Sequence, residues 1–171
     1  MLPRIEAAWA ALDELHDPEI PVLTLRDLGI LRDIRDAADG VMEVVITPTY
    51  SGCPAISQIE DDVRALLTER QIAARVVTQL SPAWTTDWMS EAGKAKLREY
   101  GIAPPHRVDH GVEHVSNVIR FTSRPPSADV VACPRCGSTH TMESARFGST
   151  ACKALYKCLD CKEPFDYFKP Y

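Results

Sequence analysis

At 171 residues, with 45% apolar and 25% charged side chains, the chain has the make-up of one average or two small globular domains, which excludes disorder and collagen-like repetition. Apolar runs such as Val44-Val45-Ile46 fall far short of the roughly 20 residues that span a bilayer, and the N-terminus lacks a secretory pattern. From these absences a cytoplasmic protein without membrane contact is expected, and a net charge of −5 weighs against nucleic acid as the main partner.

From Pro3 to Leu15, apolar residues at Ile5, Ala8, Trp9, Leu12 and Leu15 predict an amphipathic helix, ended by Asp17-Pro18-Glu19. A strand is expected over Leu28 to Arg35, a turn at Ala37 to Gly40, and a β-branched strand over Val41 to Thr47, together a hairpin. Ile56, Ile59, Val63, Leu66 and Leu67 trace a second amphipathic helix after Pro54, and Arg75 to Leu80 reads as a strand. A short helical pattern through Lys94, Leu97 and Tyr100 is closed by Gly101. Pro104-Pro105 then breaks the chain, Val118 to Thr122 reads as a short strand, and Arg124 to Ser127 as a linker. The expected division is therefore residues 1–103 as a helix-strand-strand-helix-strand domain with a helical extension, 104–130 as a connector, and 131–171 as a small tail.

Charge and cysteine usage divide the same way. Residues 1–130 hold 13 Lys/Arg against 20 Asp/Glu, whereas residues 131–171 hold 6 against 4. Five of the six cysteines lie in the tail, which in a chain without a secretory pattern points to metal rather than disulfides. Cys133-Pro134-Arg135-Cys136 and Cys158-Leu159-Asp160-Cys161 are two C-x2-C pairs separated by 21 residues, a spacing that presents four thiolates to one tetrahedral ion. Structural zinc is expected there, with iron the other occupant that a four-sulfur site accepts. Gly137 suits the left-handed backbone that follows the first pair, and Lys162 departs from that pattern in the second. Cys152 reads as a small buried side chain or a spare ligand. Tyr156, Phe165, Tyr167, Phe168 and Tyr171 supply a core for so small a tail or a face for a partner.

The remaining cysteine, Cys53, precedes Pro54 where the second helix begins. At an N-cap, unpaired amides and the helix dipole favour a thiolate. The alternative is a small apolar side chain filling a strand-to-helix corner. Asp17, Glu19 and Asp27 form a second candidate site, or else serve as solvated loop acids and caps. His106, His110 and His114 recur every four residues, but prolines and Gly111 argue against the helix that would align them as metal ligands.

Asp17-Pro18-Glu19, Asp27-Leu28-Gly29 and Thr49-Tyr50-Ser51-Gly52-Cys53-Pro54 resemble the motifs of the small α/β domain of iron-sulfur assembly factors such as SufT, over about residues 3 to 80. The string Ile46 to Ala55, the segment Gly101 to Pro105 and the paired C-x2-C tail together resemble the PaaD family of bacterial phenylacetate degradation, over nearly the whole chain. The resemblance implies an α+β protein: an iron-sulfur-assembly-like α/β domain followed by a zinc-ribbon-like module. It further implies a non-catalytic accessory component of the multicomponent phenylacetyl-CoA epoxidase, a monooxygenase system that forms a ring 1,2-epoxide. Carried over, Cys53 is the family thiol, a transient ligand of iron or an iron-sulfur cluster, and Asp17, Glu19, Asp27 and Thr49 are accompanying motif positions. The oxygenase and reductase components and the iron-sulfur assembly machinery are the implied partners, and self-association is compatible with the sequence. Arg32 stands where assembly-domain relatives often carry tyrosine. Other readings are a structural subunit of the oxygenase, a thiol redox protein, and a nucleic-acid-binding ribbon.

Overall fold

The computed structural model describes residues 2–106 and 130–171. They fall into two compact units, one comprising the chain up to Tyr100 together with Tyr171, the other Gly101–Pro170. Expectations for His110, His114, the strand at Val118 to Thr122 and the linker lie outside the described residues.

In the first unit the elements run α1 (Leu2–Leu12), β1 (Leu31–Asp36), β2 (Met42–Ile46), α2 (Ala55–Glu69), β3 (Ala74–Thr78) and α3 (Glu91–Tyr100). The sheet order is β1-β2-β3, with β1 antiparallel and β3 parallel to β2. A parallel pair needs a crossover, and α2 is that crossover. Central β2 buries Met42, Val44, Val45 and Ile46 almost completely, as a strand covered on both faces must. α2 turns Ile59, Val63 and Leu67 inward at four-residue spacing, and α1 adds Ala8 and Leu12. The hairpin turn falls where expected, with Gly40 at φ +77°.

Two strand or helix boundaries differ from the sequence reading by three residues. α1 stops at Leu12, before the Asp17-Pro18-Glu19 turn. β1 begins at Leu31 rather than Leu28, because Gly29 adopts φ +71° in a tight turn. A Cβ on Gly29 would lie 2.6 Å from the Trp88 carbonyl oxygen, so only glycine fits both the backbone and the neighbour.

The second unit is a four-stranded sheet of order β4-β7-β6-β5, formed by Ile102–Ala103, Pro164–Phe168, Lys153–Cys158 and Thr141–Ala145. Ile102 and Ala103, placed by the sequence reading in the first domain, instead pair in parallel with Asp166 and Tyr167 of β7. Gly101 at φ +94° ends α3 and turns the chain into this strand. The unit's core gathers Ala103, Val131, Cys133, Ala154, Cys158, Phe165 and Tyr167, with Tyr156 packed against it. The tail aromatics Tyr156, Phe165 and Tyr167 thus form a core, and Tyr171 is grouped with the first unit.

Candidate functional site

Each unit carries one candidate site. In the second, the sulfurs of Cys133, Cys136, Cys158 and Cys161 all lie within 4.8 Å of one another. The Cys133–Cys161 and Cys136–Cys158 separations are 3.8 and 3.6 Å. Four sulfurs about 2.3 Å from a tetrahedral ion stand about 3.8 Å apart, so the donor set fits zinc in size and chemistry. The knuckles are built by backbone amides. The Cys161 and Asp160 amides donate to Cys158, the Ser138 amide to Cys136 and the Glu163 amide to Cys161.

The two knuckles share their backbone geometry. Gly137 takes φ +75°, and Lys162 takes the equivalent left-handed conformation at φ +69° despite its side chain, whose Nζ donates to the Leu159 carbonyl. The Cys161 and Asp160 amides hold the Cys158 thiol down to about 6. The Glu163 amide favours a Cys161 thiolate, yet desolvation and the neighbouring sulfurs push that thiol up to about 12. Protons so held are those a cation expels on binding. Cys152 is buried apart from the cluster, with the Thr150 hydroxyl 3.0 Å from its sulfur.

In the first unit Cys53 sits one residue before the position expected. Pro54, with helical φ −67° and ψ −23°, is the N-cap of α2, and the helix has no side-chain cap. The first-turn amide of Ala55 still donates to the Cys53 sulfur, as does the Thr49 hydroxyl. The expectation of a readily formed thiolate is nonetheless overturned. Burial pushes the Cys53 thiol above its ordinary value, the two hydrogen bonds only partly oppose this, and the charges of Glu19 and Asp17 push it further. Cys53 is 8% exposed.

Four of the five residues singled out around this site therefore converge: Cys53, Thr49, Glu19 and Asp17 interact. Asp17 also caps its own turn, with Oδ1 accepting from the Glu19 and Ile20 amides at 2.8 Å each. Asp27 is turned elsewhere. Its carboxylate accepts from the Thr24 amide at 3.2 Å, the Ser90 hydroxyl at 2.9 Å and Lys96 Nζ at 2.6 Å, while its own amide donates to Thr24 Oγ1. Burial pushes its carboxyl up, but these bonds and the Lys96 charge together hold it below the usual range. Asp27 thus fastens α3 to the turn before β1. Ser90 and Lys96 were invisible as its partners because they lie more than sixty residues downstream; the Thr24-x-x-Asp27 box was the readable part. Arg32, at the position often held by tyrosine, stacks its guanidinium 3.4 Å from the centre of the Trp88 ring.

The His106 ring, the described member of the histidine series, meets the Val130 carbonyl and the edge of Tyr167. Among the described residues, no helix is long and apolar enough to cross a membrane.

Comparison with known proteins follows the same division. The model of an iron-sulfur cluster assembly protein family matches residues 5–79, and that of the PaaD zinc beta ribbon domain matches residues 120–169. An Escherichia coli (strain K12) protein provisionally named as one of the subunits of 1,2-phenylacetyl-CoA epoxidase is 47% identical over 168 residues, covering 98% of this chain and 93% of its own length. An Fe-S protein maturation auxiliary factor of Porphyromonas gingivalis is 36% identical over 88 residues, 50% of this chain and 83% of its own length. A crystal structure of DUF59, a domain of unknown function from Bacillus anthracis, matches 56% of this chain and 92% of its own, with a TM-score of 0.51 at 25% identity. With residues 5–79 matching the assembly family, residues 120–169 the zinc ribbon, and a relative alike along almost its entire length, the chain belongs to the PaaD family.

Proposed function

We propose that this chain is an accessory maturation protein, not itself catalytic, of a multicomponent phenylacetyl-CoA epoxidase. It acts in the cytoplasm, takes iron or an iron-sulfur cluster at Cys53 from the assembly machinery, and delivers it to the reductase component that serves the oxygenase. Cys53 carries the reading. It is a buried thiol met by the Ala55 amide, the Thr49 hydroxyl and the field of Glu19 and Asp17, within the half of the chain that matches the assembly family.

The chemistry of these residues supports the role. A thiol kept protonated by burial is a poor nucleophile and resists idle oxidation. An arriving cation displaces the proton, and the Glu19 and Asp17 carboxylates favour positive charge at the same place. The Ala55 and Thr49 donors then stabilise the anionic sulfur. A site offering one thiolate lets its cargo leave, whereas four thiolates close around an ion and keep it. That contrast assigns transfer to Cys53 and structure to the ribbon. There zinc, held by Cys133, Cys136, Cys158 and Cys161, would supply folding energy without redox chemistry.

The test is metal and sulfide analysis of wild type and Cys53→Ser, prepared without oxygen, together with cluster content of the reductase component produced beside each. The expected result is a folded Cys53→Ser protein with about one zinc per chain and a reductase whose cluster content falls at least about tenfold. A fully assembled cluster beside the variant overturns the proposal. A structural-subunit reading draws on the name of the Escherichia coli relative. Co-purification in fixed ratio with the oxygenase, unaffected by Cys53→Ser, would select it.

A further inference from the structure

The two metal knuckles come from segments far apart in the chain, so contacts between them decide how much of the site exists before an ion arrives. Asp160, inside the second knuckle, makes most of these contacts. One carboxylate oxygen accepts from the Ser138 hydroxyl and the other lies 3.1 Å from His140 Nδ1. Both partners follow directly on the first knuckle. Ser138 Oγ also accepts from the His140 amide at 3.0 Å, and the Leu159 amide donates to the His140 carbonyl at 2.8 Å. Through their backbones the same residues reach the sulfurs, Ser138 donating to Cys136 and Asp160 to Cys158.

Electrostatics alone would not put a carboxylate here. Four thiolates around a divalent ion carry a net charge of about −2, and an added anion is repelled by them. The Ser138, His140 and Lys162 donors and charges around Asp160 offset that repulsion. What the carboxylate supplies is a fixed, two-oxygen link between the turns.

The geometry points to Asp160 and Ser138 as positioning residues that lock the two knuckles at metal-binding separation, so that the ribbon takes its ion without reorganising and releases it slowly. The inference rests on the reading of the ribbon as a zinc site. The full-length chain, stripped of metal, is titrated with zinc against a chromophoric chelator, and zinc release is timed in excess chelator. Asp160→Ala and Ser138→Ala each lower zinc affinity by roughly 10- to 100-fold and speed release. The double variant loses less than the sum of the two single losses, because both changes break the same Ser138–Asp160 link. Asp160→Asn, which keeps an oxygen for Ser138, recovers part of the loss. Glu143→Ala, which removes a 3.4 Å contact with the Tyr156 hydroxyl elsewhere in the sheet, keeps wild-type affinity and separates the clamp from general loosening. Wild-type affinity in Asp160→Ala, or additive losses in the double variant, overturns the clamp. Should Asp160→Ala fail to fold, Ser138→Ala and Asp160→Asn carry both readouts. A wild-type chain that takes up no zinc refutes the zinc reading itself.

Discussion

Cys53 shows how far a single residue's chemistry depends on its surroundings. Its place beside Pro54 was readable in the sequence, and the helix amide that reaches its sulfur follows from that place. Its burial and its two acidic neighbours were not readable, because Asp17 and Glu19 arrive from a turn more than thirty residues upstream. Burial and these charges reverse the direction of the thiol's shift. The consequence is measurable with a thiol alkylator on the zinc-loaded protein, with modified cysteines located by mass spectrometry. Cys53 reacts more slowly than an ordinary free thiol at pH 7 to 8, since a raised pKa leaves a smaller thiolate fraction. Glu19→Gln removes one negative charge from beside the sulfur, lowers the thiol's pKa and speeds alkylation. An unchanged rate in Glu19→Gln would remove Glu19 from the site.

At the scale of elements, periodicity revealed α2, the β1-β2 hairpin and β3 to within a few residues, because each pattern is local. What it could not reveal is how α3 is fastened. Asp27 joins the turn before β1 to Ser90 and Lys96, and Gly93 lets α3 approach closely, since a Cβ there would meet Asp27 Cβ at 3.0 Å. Asp27→Asn should therefore destabilise the first unit by about 2 kcal/mol at neutral pH, the scale of hydrogen bonds to a buried charged group. The sign of its pH dependence follows from the lowered carboxyl. The stabilisation is fully present above the unfolded carboxyl's pKa and is lost as pH falls through the folded one. Denaturant titrations followed by tryptophan fluorescence should show wild type and Asp27→Asn converging as the solution is acidified. A gap that persists at low pH would mean that packing, not the charge, is what Asp27 contributes.

For the molecule as a whole, the uneven distribution of charge and cysteine already pointed to two modules, and each has its own core. The boundary was less legible, because β4 is two residues long and gains its strand character only from β7. Separate cores predict separate responses to metal removal. All three tryptophans, Trp9, Trp84 and Trp88, lie in the first unit, so their fluorescence reports that unit alone. Stripping the ribbon with a chelator should lower the temperature at which its β-sheet signal in circular dichroism is lost, while tryptophan emission and its unfolding midpoint stay constant. Loss of both signals together would show one cooperative body.

The pairing of Ile102 with Asp166 also bears on how the chain comes into being. On the ribosome the first unit, Tyr171 apart, emerges as one continuous stretch and can close its core at once. β4 then waits, with its strand pairing unmade, until β7 has been translated. The second unit is consequently the late and slow part of biogenesis. Any excised ribbon must begin by Gly101, because a cut at Pro104 would remove its edge strand and leave β7 open to pairing with other chains.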